Sequence, residues 1–322
     1  MNLLMTMIIS ILIGFILSLI IGKGLIPILK NTDITQRVSK KINDRHLRKN
    51  GTPTMGGLIF FLSTLLSFFI LLILKKIAFN SNVVGIIVIF ISFAFLGYYD
   101  DYLKIKKNNN EGISIINKLT LEFIISLVFF ILYLLNGNDT YFIFYNFKYL
   151  YGFIIFLILV GTSNAVNITD GLDGLAGGLA FMAFMLYGIL AIKFNYIAGH
   201  EQIAIFCFLL SGSLLGFLYF NFYPAKIFMG DLGSLALGGT LAAVAITLRI
   251  EESLLIVGII FIIETLSSFL QIVSINYYHK KIFLKSPLHH HFEEKGYSET
   301  EIIKLFYLGG IIAIFIALII YI

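Results

Sequence analysis

Residues 5–29 read MTMIISILIGFILSLIIGKGLIPIL, a run with one charge, Lys23. A helix needs roughly 20 mostly apolar residues to cross about 30 Å of hydrocarbon, and this run has that length. Nine more follow: Met55–Leu74, Val83–Tyr99, Leu119–Leu135, Leu150–Val166, Gly174–Ile192, Ile203–Tyr219, Leu232–Leu248, Leu254–Ile275 and Leu305–Ile322. One such run is compatible with a buried helix of a soluble protein; ten in succession are not. The first run is not expected to be a cleaved signal, because it lacks a basic leader and a small-x-small site before Lys30. The expectation is an all-α, polytopic membrane protein of about ten transmembrane helices, forming a single domain over residues 1–322.

Composition agrees. Hydrophobic residues make up 59% of the chain and charged residues 13%, about half the share usual in soluble domains. The single cysteine, Cys207, lies in an apolar run, which excludes a disulfide framework and a thiolate cluster. A net charge of +5 is too small to argue nucleic-acid binding, and the placement of charge is more informative. The odd-numbered connections carry seventeen Lys and Arg, seven of them in 30–54, against five in the alternate connections. The positive-inside bias therefore places the odd-numbered connections in the cytoplasm and both termini outside.

Most acids fall on the same cytoplasmic side, at helix ends. A transporter places its ionisable groups near the bilayer midplane. Here only Glu122 and Glu264 lie within apolar runs, each a few turns from a cytoplasmic end. The pattern predicts a site at the membrane–cytosol boundary.

Four segments carry candidate chemistry. Asp100-Asp101 in Gly97–Lys104 is a pair of repelling carboxylates that calls for a metal ion, Lys104, or both, unless it is a solvated helix end. In Asn164–Gly174, Asn167, Asp170 and Asp173 are oxygen donors spaced by glycines. They suit a hard cation such as Mg²⁺, hydrogen bonds to a sugar or uridine, or a plain turn with an Asp cap. In Asn221–Ser234, Asp231 opens a span, as N-cap or beside a helix N-terminus that attracts diphosphate oxygens, and Gly230 and Gly233 permit close approach. In Ser286–Glu293, His289, His290 and His291 diverge by about 100° each on a helix, so one shared metal is excluded. They grip phosphate or a sugar, or form an exposed turn too polar to be core. Glu264, Ser267, Ser268 and Gln271 add a polar stripe to the ninth span, for packing or for a lipid head group.

Taken in order, five strings resemble the phospho-N-acetylmuramoyl-pentapeptide-transferase family, within the polyprenyl-phosphate N-acetylhexosamine-1-phosphate transferases. They are Thr52-Pro53-Thr54-Met55-Gly56-Gly57, Asp100-Asp101-Tyr102, Asn167 to Gly174, Phe228-Met229-Gly230-Asp231, and Pro287 to Glu293. The match runs from about residue 30 to the C-terminus, with no motif missing. The resemblance implies a multi-pass bacterial inner-membrane enzyme, a homodimer in the family. It moves phospho-MurNAc-pentapeptide from UDP-MurNAc-pentapeptide to undecaprenyl phosphate, requires Mg²⁺ and releases UMP. It implies Asp231 as Mg²⁺ ligand, Asp100 as base or positioner assisted by Asp101, and Lys104 and Lys118 on nucleotide or phosphate. Asn167, Asp170 and Asp173 would line the nucleotide and metal region, with Asp170 a second metal ligand. Asn221, Phe228 and Gly230 would lie near uridine, Gln271 at the substrate entrance, and the three histidines on the amino-sugar side. The Asp-rich strings also suit a sibling that transfers GlcNAc-1-phosphate; the histidine and Thr-Pro-Thr-Met-Gly-Gly strings favour the muramoyl-pentapeptide enzyme.

Overall fold

The computed structural model describes residues 3–31, 51–107, 111–142 and 145–322. The basic connection 30–54, with its Asp33 and Asp44, lies almost wholly outside the described residues. Among the described residues, ten long helices account for the ten expected spans: α1 Leu3–Asn31, α2 Gly57–Ile73, α3 Ser81–Lys107, α4 Ile115–Leu135, α5 Tyr151–Thr169, α6 Leu175–Lys193, α7 His200–Asn221, α8 Gly230–Thr247, α9 Ile259–Tyr278 and α10 Glu299–Tyr321. Nine are long and apolar enough to cross a membrane, and α2 is a shorter apolar helix of 17 residues. The only described strands form a two-stranded hairpin, Tyr141–Phe142 with Tyr145–Asn146, in the connection after α4.

Most helix bounds differ from the expected runs by a few residues, and two of the differences have a clear local reason. Helix α3 continues eight residues past Tyr99 to Lys107. At about 1.5 Å per residue its 27 residues reach roughly 40 Å, well beyond the hydrocarbon, so a charged last turn is tolerated. The ninth run is broken: a short helix Leu254–Val257 stops at Gly258, and α9 starts after it.

Helices α7 and α8 are buried along almost their whole length, and the others surround them. With lipid outside, no hydrophobic force drives helices together, so close backbone approach and small residues set the packing. A Cβ on Gly212 of α7 would stand 2.1 Å from the Ile11 carbonyl of α1, and one on Gly97 of α3 would stand 2.2 Å from the Asp231 carbonyl of α8. Across the first contact the Ser18 hydroxyl donates to the Ser213 carbonyl at 2.7 Å. The opposite face of α1 exposes Leu4, Ile8, Leu12, Ile16 and Ile20, one turn apart, as a lipid-facing stripe.

Hydrogen bonds confirm that alternate connections share one end. Away from the acidic motifs, Asn82 bonds Ala198 and Asn138, and Arg249 pairs with Asp139 at 2.8 Å. At that same end Glu251 is buried and accepts from the Tyr151 hydroxyl at 2.7 Å. Burial pushes the Glu251 carboxyl up to about 7. At the other end the C-termini of α3, α5 and α7 meet the N-termini of α6, α8 and α10.

Candidate active site

About two turns before its end, α3 supplies Asp100 and Asp101, only 4% and 6% exposed. Burial of two adjacent carboxylates demands partners, and the neighbouring elements provide them. One oxygen of Asp100 accepts from the Ile113 backbone N–H at 2.7 Å. The other faces Lys104 Nζ, one helical turn on, at 2.6 Å. Asp101 accepts from the Leu232 N–H at 3.1 Å, in the first turn of α8. The pair is thus no solvated helix end, and the first cation beside it is Lys104.

The same Lys104 ammonium lies 2.6 Å from Asp231 Oδ2. Asp231 Oδ1 accepts from Asn167 Nδ2 at 2.9 Å, and Asn167 also donates to the Ser234 hydroxyl. Asp231 is not a cap: Met229 occupies the N-cap position without a side-chain bond, so the carboxylate is turned to α3 and α5. Gly230 before it has φ +77°, and a Cβ there would stand 2.6 Å from Asp101 Oδ2. Lys118, half-buried at the start of α4, is within electrostatic reach of Asp231 and Glu122.

Thr52–Gly57 serves as a brace. Gly56 and Gly57 donate to the Phe228 and Met229 carbonyls at 2.7 and 2.8 Å, and Phe228 donates to the Pro53 carbonyl. Two motifs 170 residues apart in the chain therefore position Asp231 as one unit.

Asp173 and Asn221 are buried and spent on the scaffold. Asp173 accepts from the Ala225 N–H at 2.9 Å. Asn221 accepts from Gly174 at 3.0 Å and donates to the Ile227 carbonyl at 2.9 Å. They join the 170–174 turn to the 222–229 loop, with Phe228 half-buried on it. Asp170 ends α5 as its C-cap, three residues after Asn167, and the N-cap of α6 is Gly174. Gln271 is likewise engaged, accepting from Ile282 and Phe283 and donating to the Phe283 carbonyl, so it shapes the loop leading to the histidines.

The histidines diverge as expected, to three different partners. His291 accepts from the Leu284 N–H at 3.1 Å, and His290 meets Glu293 at 2.5 Å. Burial lowers the His290 imidazole from its ordinary value, with Glu293 opposing. The exposed turn is a correction for His289, which is 1% exposed and paired with a wholly buried Glu264. Its ring reaches the 170–174 turn at Gly171. The polar stripe of α9 therefore holds the histidine loop from beneath.

Sequence reading missed Ser234, Ile113 and Glu299, whose Oε1 accepts from the Asp173 N–H at 2.7 Å. Two of these contacts run through a backbone N–H or a common hydroxyl and leave no motif. For Glu264 the signal was present, an acid within an apolar run.

Among the described residues, no three His, Cys, Asp or Glu side chains form a ready-made metal cage. The donor set is nonetheless hard oxygen, and Mg²⁺ is typically bound by one or two carboxylates completed by substrate phosphates. The residues fit that mode.

Fold and site together define a polytopic membrane enzyme with a boundary site built of carboxylates, lysines and imidazoles. Comparison with known proteins narrows the class. The family model "Glycosyl transferase family 4" matches residues 83–249, and "Phospho-N-acetylmuramoyl-pentapeptide-transferase signature 1" matches 49–61, the brace. Proteins named phospho-N-acetylmuramoyl-pentapeptide-transferase are similar over nearly the whole chain. That of Clostridium perfringens is 40% identical over 316 residues, covering 96% of each chain. That of Staphylococcus saprophyticus is 41% identical, covering 93% of this chain and 94% of its own. That of Staphylococcus aureus is 38% identical, covering 94% and 95%. The chain belongs to the phospho-N-acetylmuramoyl-pentapeptide-transferase family.

Proposed function

We propose that the chain transfers phospho-MurNAc-pentapeptide from UDP-MurNAc-pentapeptide to undecaprenyl phosphate. The products are undecaprenyl-diphospho-MurNAc-pentapeptide (lipid I) and UMP, at the cytoplasmic face of a bacterial membrane. The observation that carries this reading is Lys104, held at 2.6 Å from both Asp100 and Asp231 where three helix ends meet. Joining two phosphates brings anions together, so positioning and cationic compensation dominate catalysis.

An oxygen of the lipid phosphate attacks the phosphorus attached to the sugar. The bond from that phosphorus to the oxygen shared with the uridine-bearing phosphate breaks, and UMP leaves with the electron pair. Asp100 positions the lipid phosphate and accepts any proton it carries, with Asp101 fixing the first turn of α8 behind it. Lys104 and Lys118 compensate charge on donor and acceptor. Asp231 and Asp170 would hold Mg²⁺, which when bound supplies Lewis-acid compensation of the diphosphate. Asn167 orients Asp231. Asp173, Asn221, Phe228 and Gly230 shape the uridine side, Gln271 supports the histidine loop, and His289, His290 and His291 meet the amino-sugar side of the donor. Homodimer formation is part of this proposal, on the family's pattern.

Purified protein offered undecaprenyl phosphate with either donor should release UMP from UDP-MurNAc-pentapeptide and largely refuse UDP-GlcNAc. Preferential turnover of UDP-GlcNAc would hand the assignment to the sibling activity.

A further inference from the structure

The His289 imidazole has one nitrogen accounted for and one not. Glu264, 0% exposed, accepts from the His289 backbone N–H through Oε1 at 3.1 Å and meets Nδ1 through Oε2 at 2.8 Å. Both carboxylate oxygens thus face donors, which puts the ring proton of Nδ1 on the Glu264 side. The second nitrogen, Nε2, is buried without any hydrogen-bond partner. Native interiors rarely leave a buried polar atom unpaired, because its lost hydration is not repaid.

The surroundings of Nε2 are specific. It points at Gly171, in the turn between Asp170 and Leu172, where an added Cβ would stand 2.2 Å away. Glycine there keeps a methyl group off the imidazole nitrogen. The unpaired nitrogen and the side-chain-free residue coincide next to Asp170, at the rim of the carboxylate site.

We propose that Glu264 is a positioning residue for the transfer. It holds the ring proton on Nδ1 and so leaves Nε2, beside Gly171, as a bare acceptor that takes a hydrogen bond from an O–H or N–H of the donor's amino sugar. This rests on the reading that His289 contacts the donor. Glu264 itself touches no substrate; it acts only through the imidazole, as a carboxylate orients a histidine in other active sites.

The whole protein in detergent, assayed with UDP-MurNAc-pentapeptide and undecaprenyl phosphate, tests this with Glu264→Gln, His289→Asn and the double variant. Glutamine keeps the volume of Glu264 but presents an N–H₂ group that favours the wrong tautomer. Glu264→Gln should lower kcat/KM for the donor about tenfold or more, and leave KM for undecaprenyl phosphate within about twofold. The double variant should be no worse than His289→Asn alone, and Glu264→Asp should recover part of the loss. Wild-type kinetics in Glu264→Gln, or a double variant whose losses multiply, would overturn the role of Glu264. Wild-type kinetics in His289→Asn would instead overturn the donor contact beneath it. Should Glu264→Gln fail to fold, Gly171→Ala decides: it leaves the pair intact and crowds Nε2, so donor kcat/KM should fall with acceptor KM retained. Unchanged donor kinetics in Gly171→Ala overturns the proposal.

Discussion

Asp231→Asn is expected to lower turnover by about a hundred- to a thousandfold, the scale for losing one preorganised charged group in a transfer site. The amide retains Asn167's neighbourhood but sets an N–H₂ or a neutral oxygen against Lys104, now 2.6 Å from the carboxylate. It also removes the anionic oxygen that a hard cation prefers. Global stability should change little, because Lys104 keeps Asp100 as its partner at 2.6 Å. Initial rates measured across a Mg²⁺ titration check this. Wild-type turnover with an unchanged Mg²⁺ requirement would remove Asp231 from the metal site.

His289→Ala is expected to cost both activity and folding stability, unlike its two neighbours. It leaves the buried Glu264 carboxylate without its imidazole, and breaking a buried pair typically costs about 3–5 kcal/mol. His290 and His291 lie nearer the surface, and removing either should cost about 0.5 kcal/mol or less. Thermal unfolding in detergent separates the three: a large fall in Tm only for His289→Ala is the expected pattern. Equal Tm values for all three would mean that the Glu264–His289 contact contributes nothing to the fold.

These two sites show what the sequence made legible. The spans were readable because crossing hydrocarbon imposes a length and a composition that few other structures share, and all ten are helices. Their ends were less so. Tyr99 marks where α3 leaves the apolar layer, but nothing in the residue types says that the helix continues to Lys107. Gly258 breaks the ninth run in a stretch whose hydropathy is continuous. The site residues were visible as acids and amides in short connections, and the structure gathers Asp100, Asp101, Lys104, Asn167 and Asp231 into one network. What each side chain touches was not visible, because those partners come from other helices. Asp173 and Asn221 are saturated by backbone groups of neighbouring loops. His289 was read as part of a polar turn because its partner, Glu264, lies 25 residues upstream on α9.

In the proposed reaction a phosphosugar, not a sugar, moves to the lipid. UDP-MurNAc-pentapeptide labelled with ³²P only in the phosphate next to the sugar tests this directly. With undecaprenyl phosphate and the purified protein, the label should enter the lipid product while unlabelled UMP is released. Label released in UDP, with an unlabelled glycolipid formed, would contradict it.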